Sequence, residues 1–205
     1  MPFSVASLIE PLTIGLYAAS NSGFLLEKKV AVVGQGPIGI LLDQVLKAAG
    51  AHVIGIDVRE YRLDFARKKG WIDVGLNSQS KSFSQQFAKL APLGADVSFE
   101  AVGRAETVDL CMDITRQDGI IHVLGVFEAL ASLDMMKLVR KELMLNGSWT
   151  CAFSFPAAID MVHEGKIDLK SLITHRYHFK DSIKAFEESA AYKDKRIKTV
   201  IEFPG

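Results

Sequence analysis

The sequence predicts an α/β chain built on a doubly wound, six-stranded parallel sheet with helices on both faces. Two observations carry that expectation. Short, β-branched apolar runs alternate with helix-period segments along the first three quarters of the chain, and the first run opens directly onto a three-glycine turn. Right-handed crossovers between parallel strands leave few other solutions for such an alternation.

The elements follow in order. Val30-Ala31-Val32-Val33 is uncharged and mostly β-branched, as a strand buried on both faces must be. Gly34-Gln35-Gly36-Pro37-Ile38-Gly39 comes next, and residues 40–49 read as a helix ended by Gly50. Residues 52–57 make the second strand, and a charged helix over residues 60–69 stops at Gly70. The third strand is a weak one at 74–76, followed by an amphipathic helix near 82–90. The fourth strand spans 96–101 with a helix at 105–115, and the fifth spans 120–124. A short helix at 135–140 and a sixth strand at 143–148 complete the sheet.

Beyond Thr150 the pattern changes to a helix at 156–163, a turn at 168–173, a strand at 177–179, a helix at 182–191 and a last strand at 198–203. That tail is too small to hold a core alone, and the opening helix at 11–20 has the same difficulty. The expected division is residues 1–24 as an inter-domain helix, 25–150 as the dinucleotide-type sheet domain, and 151–205 as a segment packing back toward a second, mostly absent domain.

Composition excludes several classes. The 24 basic and 24 acidic residues cancel, which argues against a nucleic-acid binder and against an acidic tail. Two cysteines, Cys111 and Cys151, are too few for a disulfide framework or a zinc cluster and fit a reducing cytoplasm. Residues 5–20 are apolar, but no basic stretch precedes them and Glu10-Pro11 interrupts them, so neither a signal peptide nor a membrane span is expected.

The chemistry lies in the glycine turn. Gly34-x-Gly36-x-x-Gly39 follows a buried strand and opens a helix, and an acid, Asp57, ends the next strand. Gly34 permits the tight turn, Gly36 lets a diphosphate approach the backbone, and Gly39 lets helix and strand pack closely. The helix N-terminus offers N–H groups and a partial positive charge, and Pro37 suits the first turn because its missing N–H is no loss there. Asp57 is placed to accept from the adenosine ribose hydroxyls and to repel a 2′-phosphate, which favours NAD; Arg59 and Arg62 nearby keep NADP as the alternative.

These residues resemble the medium-chain dehydrogenase/reductases, in particular the zinc-type alcohol, polyol and threonine dehydrogenases with a Rossmann domain. The matching segments run in order: residues 7–12, 33–39, 57–63, 99–103, 141–148 and 197–201. The resemblance implies that Ile38 meets the diphosphate through its backbone and that Asp57 and Arg62 hold the adenosine end. It implies that Leu124, Gly125 and Val126 line the nicotinamide, with Ser148, Trp149 and Thr150 as backbone partners of its carboxamide. Lys198 falls where the family has a basic residue near the diphosphate, although an exposed strand-edge lysine reads equally well.

The resemblance implies a GroES-like domain that supplies the family's zinc ligands, and the expectation is that this sequence begins after that domain. Glu10 alone matches a position near the polyol-branch zinc, and one carboxylate does not make a site that needs three protein ligands. Among the histidines, only His163-Glu164 and His175-x-x-His178 have ligand-like spacing, and both read as structural or solvated. No metal site and no catalytic residue is therefore assigned to this chain. The expectation is the NAD(H)-binding portion of an alcohol or polyol dehydrogenase, inactive or weakly active alone, dimerising through its sixth strand. The alternative is a non-catalytic NAD(H)-binding module that senses the cofactor or pairs with a separate chain.

Overall fold

The computed structural model describes residues 1–149, 153–191 and 195–203. Six parallel strands form one sheet: β1 (Lys29–Val33), β2 (His52–Asp57), β3 (Val74–Asn77), β4 (Ala95–Glu100), β5 (Thr115–Val123) and β6 (Met144–Gly147), in the order β3-β2-β1-β4-β5-β6. The strand order reverses between β1 and β4, so the chain leaves those two neighbours in opposite directions and opens a crevice at their carboxyl ends. Register is tight at this point, with Val30 opposite both Val53 and Val97.

Alternation along each strand sends side chains to two cores. Val30, Val32, Val53, Val97 and Phe99 face one side, where α3 (Pro37–Ala48) and α4 (Glu60–Lys68) pack; Ala31, Val33, Ile54, Ile56 and Ile121 face the other, under α5 (Phe83–Leu90) and α6 (Ala105–Ile114). Each β1 side chain here is almost fully withdrawn from water, which gives roughly 1.5–3 kcal/mol per valine.

The terminal segments share the first of these cores. α1 (Phe3–Ala6) and α2 (Ile9–Ser20) contribute Val5, Leu8 and Leu12; α8 (Phe155–His163) contributes Ala158; and a small parallel pair, β7 (Ile173–His178) with β8 (Lys198–Glu202), contributes Val200. Gly15 lets α2 lie close on α3, since a Cβ there would come within 3.1 Å of the Leu42 backbone. The stretch Phe3–Ser20 is long and apolar enough to resemble a membrane span, yet half of it is buried inside the fold. The remaining helices are α7 (Met135–Arg140) before β6 and α9 (Ser182–Ala191) before β8.

The structure corrects three boundaries. The fifth strand starts at Thr115, where a helix end was expected; Ala95 pairs with Thr115 and Val97 with Ile120, so a bulge absorbs the intervening residues. Thr115 is pinned there by its hydroxyl donating to Ser98 at 2.7 Å, and Arg116 by an ion pair to Asp96 at 2.9 Å. The seventh strand begins at Ile173, ahead of Tyr177, because β8 offers partners from Lys198 onward. The first two helical segments begin at Phe3 and Ile9, ahead of Pro11.

Candidate functional site

The glycine turn sits at the reversal of strand order, between the ends of β1 and β4. Gly34 adopts φ +101°, and a Cβ on it would lie 2.6 Å from Val102 Cγ2 and 2.9 Å from the Ala101 carbonyl oxygen. A Cβ on Gly39 would lie 1.8 Å from the Gly34 carbonyl oxygen, so only glycine lets α3 close onto the turn. Gly36 differs from both: a Cβ there would meet nothing within 4 Å. Its bare backbone faces an open cradle at the start of α3, where Gly36 is the N-cap, no side chain caps the helix and Pro37 holds the first turn. A twelve-residue helix ending in this way presents partial positive charge to the opening.

Asp57, at the end of β2, is buried and held from three directions. Its Oδ2 accepts from the Gln35 backbone N–H at 2.7 Å and from Arg62 at 3.4 Å, and its Oδ1 accepts from the Arg59 N–H at 2.8 Å. A carboxylate has about four lone-pair sites. One is therefore open while Arg62 stays in contact, and a second opens if Arg62 withdraws. Burial works against the Arg62 charge, but the Asp57 carboxylate and the Tyr61 hydroxyl outweigh it, and its pKa lies above the ordinary value.

A cleft of about 450 Å³ continues from this corner, lined by Pro37, Arg62, Ser189, Arg196, Lys198 and Thr199. It gathers Pro37, Arg62 and Lys198 from distant parts of the sequence. Arg196, which the sequence reading passed over, is anchored there by Ser189 at 3.1 Å and Tyr177 at 3.1 Å.

The positions expected near a nicotinamide lie along the ends of β5 and β6. Leu124 is buried, and the N–H groups of Leu124 and Gly125 both donate to the Glu100 carbonyl oxygen, at 2.8 and 3.1 Å. A Cβ on Gly125 would strike the Gly103 nitrogen at 2.1 Å. Val126 is exposed, Ser148 is buried with its N–H on the Val123 carbonyl oxygen at 2.9 Å, and Trp149 is exposed. Thr150 and Cys151 lie outside the described residues. Ile38 is half-buried inside the turn.

Sequence reading missed Glu100 as an organiser of this end. It is fully buried, and its Oε1 accepts from the Val102 N–H at 2.9 Å, the Gly103 N–H at 2.8 Å and the Thr107 hydroxyl at 2.7 Å, so one side chain holds the β4 loop against the glycine turn. Glu10 is exposed on the first turn of α2, and among the described residues no three His, Cys, Asp or Glu side chains gather as a metal site requires. This donor set does not fit a catalytic zinc.

Comparison with known proteins shows the family. A profile of the zinc-binding dehydrogenases matches residues 37–164. D-xylulose reductase of Saccharomyces cerevisiae is 31% identical over 98% of this chain and 58% of its own length. L-idonate 5-dehydrogenase (NAD(P)(+)) of Escherichia coli K12 is 33% identical over 86% of this chain and 51% of its own. A solved structure of an alcohol dehydrogenase from Escherichia coli CFT073, complexed with cofactor NADH, superposes with a TM-score of 0.89 at 25% identity, covering 98% of this chain and 59% of that one. The chain thus spans little more than half the length of these proteins. It belongs to the zinc-binding dehydrogenase family.

Proposed function

We propose that this chain binds NAD(H) at the turn of Gly34, Gly36 and Gly39 and is the coenzyme-binding portion of an alcohol or polyol dehydrogenase. The observation that carries the reading is the contrast among the three glycines. Two are filled by their neighbours, and the third faces an open cradle at a helix N-terminus with Asp57 tied to the same turn. Gly36, Ile38 and the start of α3 receive the diphosphate, while Lys198 adds positive charge from the cleft wall, where Arg196 is paired with Glu188 at 3.4 Å. Asp57 accepts from one ribose hydroxyl through its open lone pair and from the second when Arg62 swings away. Its charge opposes a 2′-phosphate, which favours NAD, whereas the relative from E. coli K12 is named for both cofactors.

Bound nicotinamide supplies hydride acceptance from an alcohol carbon. Leu124, Gly125 and Val126 form the wall against which the ring lies, and the Ser148–Trp149 backbone meets its carboxamide. The described residues offer no set of zinc ligands, so activation of the alcohol oxygen is no part of what they do. The chain alone then binds cofactor and turns over weakly or not at all. We place it in the cytoplasm, as a dimer paired along the β6 edge.

A second reading, a cofactor-binding module that pairs with a separate chain, is favoured by one feature. Phe179 and Phe203 stack with centroids 4.7 Å apart while remaining 50% and 70% exposed, an apolar pair that a partner would cover.

Titration with NADH and NADPH, followed by energy transfer from Trp149 and Trp71 to the reduced nicotinamide, tests the primary reading. Saturable binding that is tighter for NADH supports it, and the absence of binding by either refutes it.

A further inference from the structure

Asp43 lies in the middle of an apolar helical run, Ile40-Leu41-Leu42-Asp43-Gln44-Val45-Leu46, one turn beyond Gly39 on α3. It is completely buried. A carboxylate in that position needs a counter-charge, and the described residues place none beside it. On the elements packed around it, Lys29 of β1 donates its ammonium to the Leu90 carbonyl and its backbone N–H to Asp96, and His52 of β2 faces Glu27. Asp57 of β2 is engaged by Gln35 and Arg62. Lys47 of α3 itself pairs with Asp73, and Glu10 of α2 is exposed to water. Tyr17 of the same helix is more than a third exposed.

The side chain that does meet Asp43 is Gln35, the second residue of the glycine turn. Gln35 Nε2 donates toward Asp43 Oδ1 at 3.4 Å and toward the Val32 carbonyl oxygen at 3.5 Å. The second contact fixes the amide's orientation, because a flipped amide would set its oxygen against that carbonyl. Gly55 on β2 makes room for the group, since a Cβ there would come within 3.0 Å of the Gln35 amide carbon. Two oxygens of this pair are buried without a partner among the described residues, Gln35 Oε1 and Asp43 Oδ2.

One proton satisfies both. We infer that Asp43 is held as a neutral carboxylic acid whose Oδ2–H donates to Gln35 Oε1, closing a two-bond acid–amide pair that positions Gln35 beneath the phosphate turn. Burial pushes the Asp43 carboxyl well above the ordinary range, with the Gln35 bond opposing it weakly, in keeping with this state. Gln35 is then clamped at both ends, its side chain by Asp43 and its backbone N–H by Asp57. Asp43 is thereby a positioning residue for the adenosine end of the cofactor, a role that rests on the proposed NAD(H) binding.

Asparagine reproduces the neutral acid, with an oxygen to accept from Nε2 and an N–H to donate to Oε1; leucine reproduces only the bulk. The infrared difference spectrum of the parent minus D43N at neutral pH is expected to show the carbonyl band of a protonated carboxylic acid. NADH should bind D43N within about twofold of the parent and D43L about tenfold more weakly, the scale of one orphaned buried polar group. Parent affinity should fall as alkali removes the proton, and D43N affinity should not. Stability follows the same sign: a raised native pKa stabilises fully below the ordinary value of 3.8 and less as pH climbs toward the raised one, a slope that D43N removes. A difference spectrum without the acid band, or NADH binding that D43N abolishes, overturns the role of Asp43. Failure of the parent itself to bind NADH overturns the cofactor reading instead.

Discussion

The Gln35 backbone N–H donates to Asp57 Oδ2 at 2.7 Å, tying the glycine turn after β1 to the end of β2. The bond spans 22 positions of sequence and joins the acid at the end of β2 to the open start of α3 in one corner. Replacing Asp57 with alanine removes an acceptor from three donors at once. We expect D57A to weaken NADH by about tenfold or more and to narrow or reverse the preference over NADPH, since the charge opposing a 2′-phosphate is gone. Parallel titrations of the two nucleotides measure both effects.

Gly36 and Gly39 should separate binding from folding. A Cβ at Gly36 points into open space, and its φ of −79° suits any residue, so G36A keeps its stability within about 1 kcal/mol while blocking the approach of a diphosphate. G39A forces a methyl against a backbone oxygen and should lose about 3 kcal/mol of stability. Urea midpoints and NADH affinity of the two variants distinguish them.

Glu100 serves three donors through a single oxygen, two in the loop that meets the glycine turn and one, Thr107, in the first turn of α6. E100A should cost about 3 kcal/mol, because removing a partner leaves buried donors unsatisfied. E100Q, which keeps the accepting oxygen, should cost less. Denaturation of the two variants checks the order.

His122 on β5 is buried against Phe99, with ring centroids 5.3 Å apart, and neither ring nitrogen has a hydrogen-bond partner among the described residues. Burial lowers its pKa below the ordinary 6.5, so the native state binds its proton less readily than the unfolded chain. Its contribution is complete above that ordinary value and is lost as pH falls toward the depressed one. H122L should remove this acid sensitivity, read as the difference in urea midpoint between variant and parent across mildly acidic pH.

The parts of the site legible in the sequence are those where a residue type has few uses. Gly34, Gly36, Gly39 and Asp57 were readable because turn geometry and a strand-end acid leave a local signature. The start of β5 was not, because Thr115 joins the strand through a hydroxyl bond to Ser98 and a bulge, neither of which shows in local pattern. Arg196 reached the cleft only through the pairing of β7 with β8. Asp43 was passed over in the sequence, because its partner eight residues earlier meets it only once α3 folds back over the turn. The terminal helices read as apolar segments in need of a surface, and the sheet face they share with α3 is part of what covers them.

In the proposed function, the corner formed by the glycine turn and Asp57 holds the adenosine diphosphate end of a nicotinamide cofactor. Calorimetric titration with ADP-ribose, which carries that end without the nicotinamide, tests it most directly. Saturable one-to-one binding is expected, weakened by a 2′-phosphate on the same ligand and removed by G36A. Absence of binding, or tighter binding of the 2′-phosphorylated ligand, would contradict it.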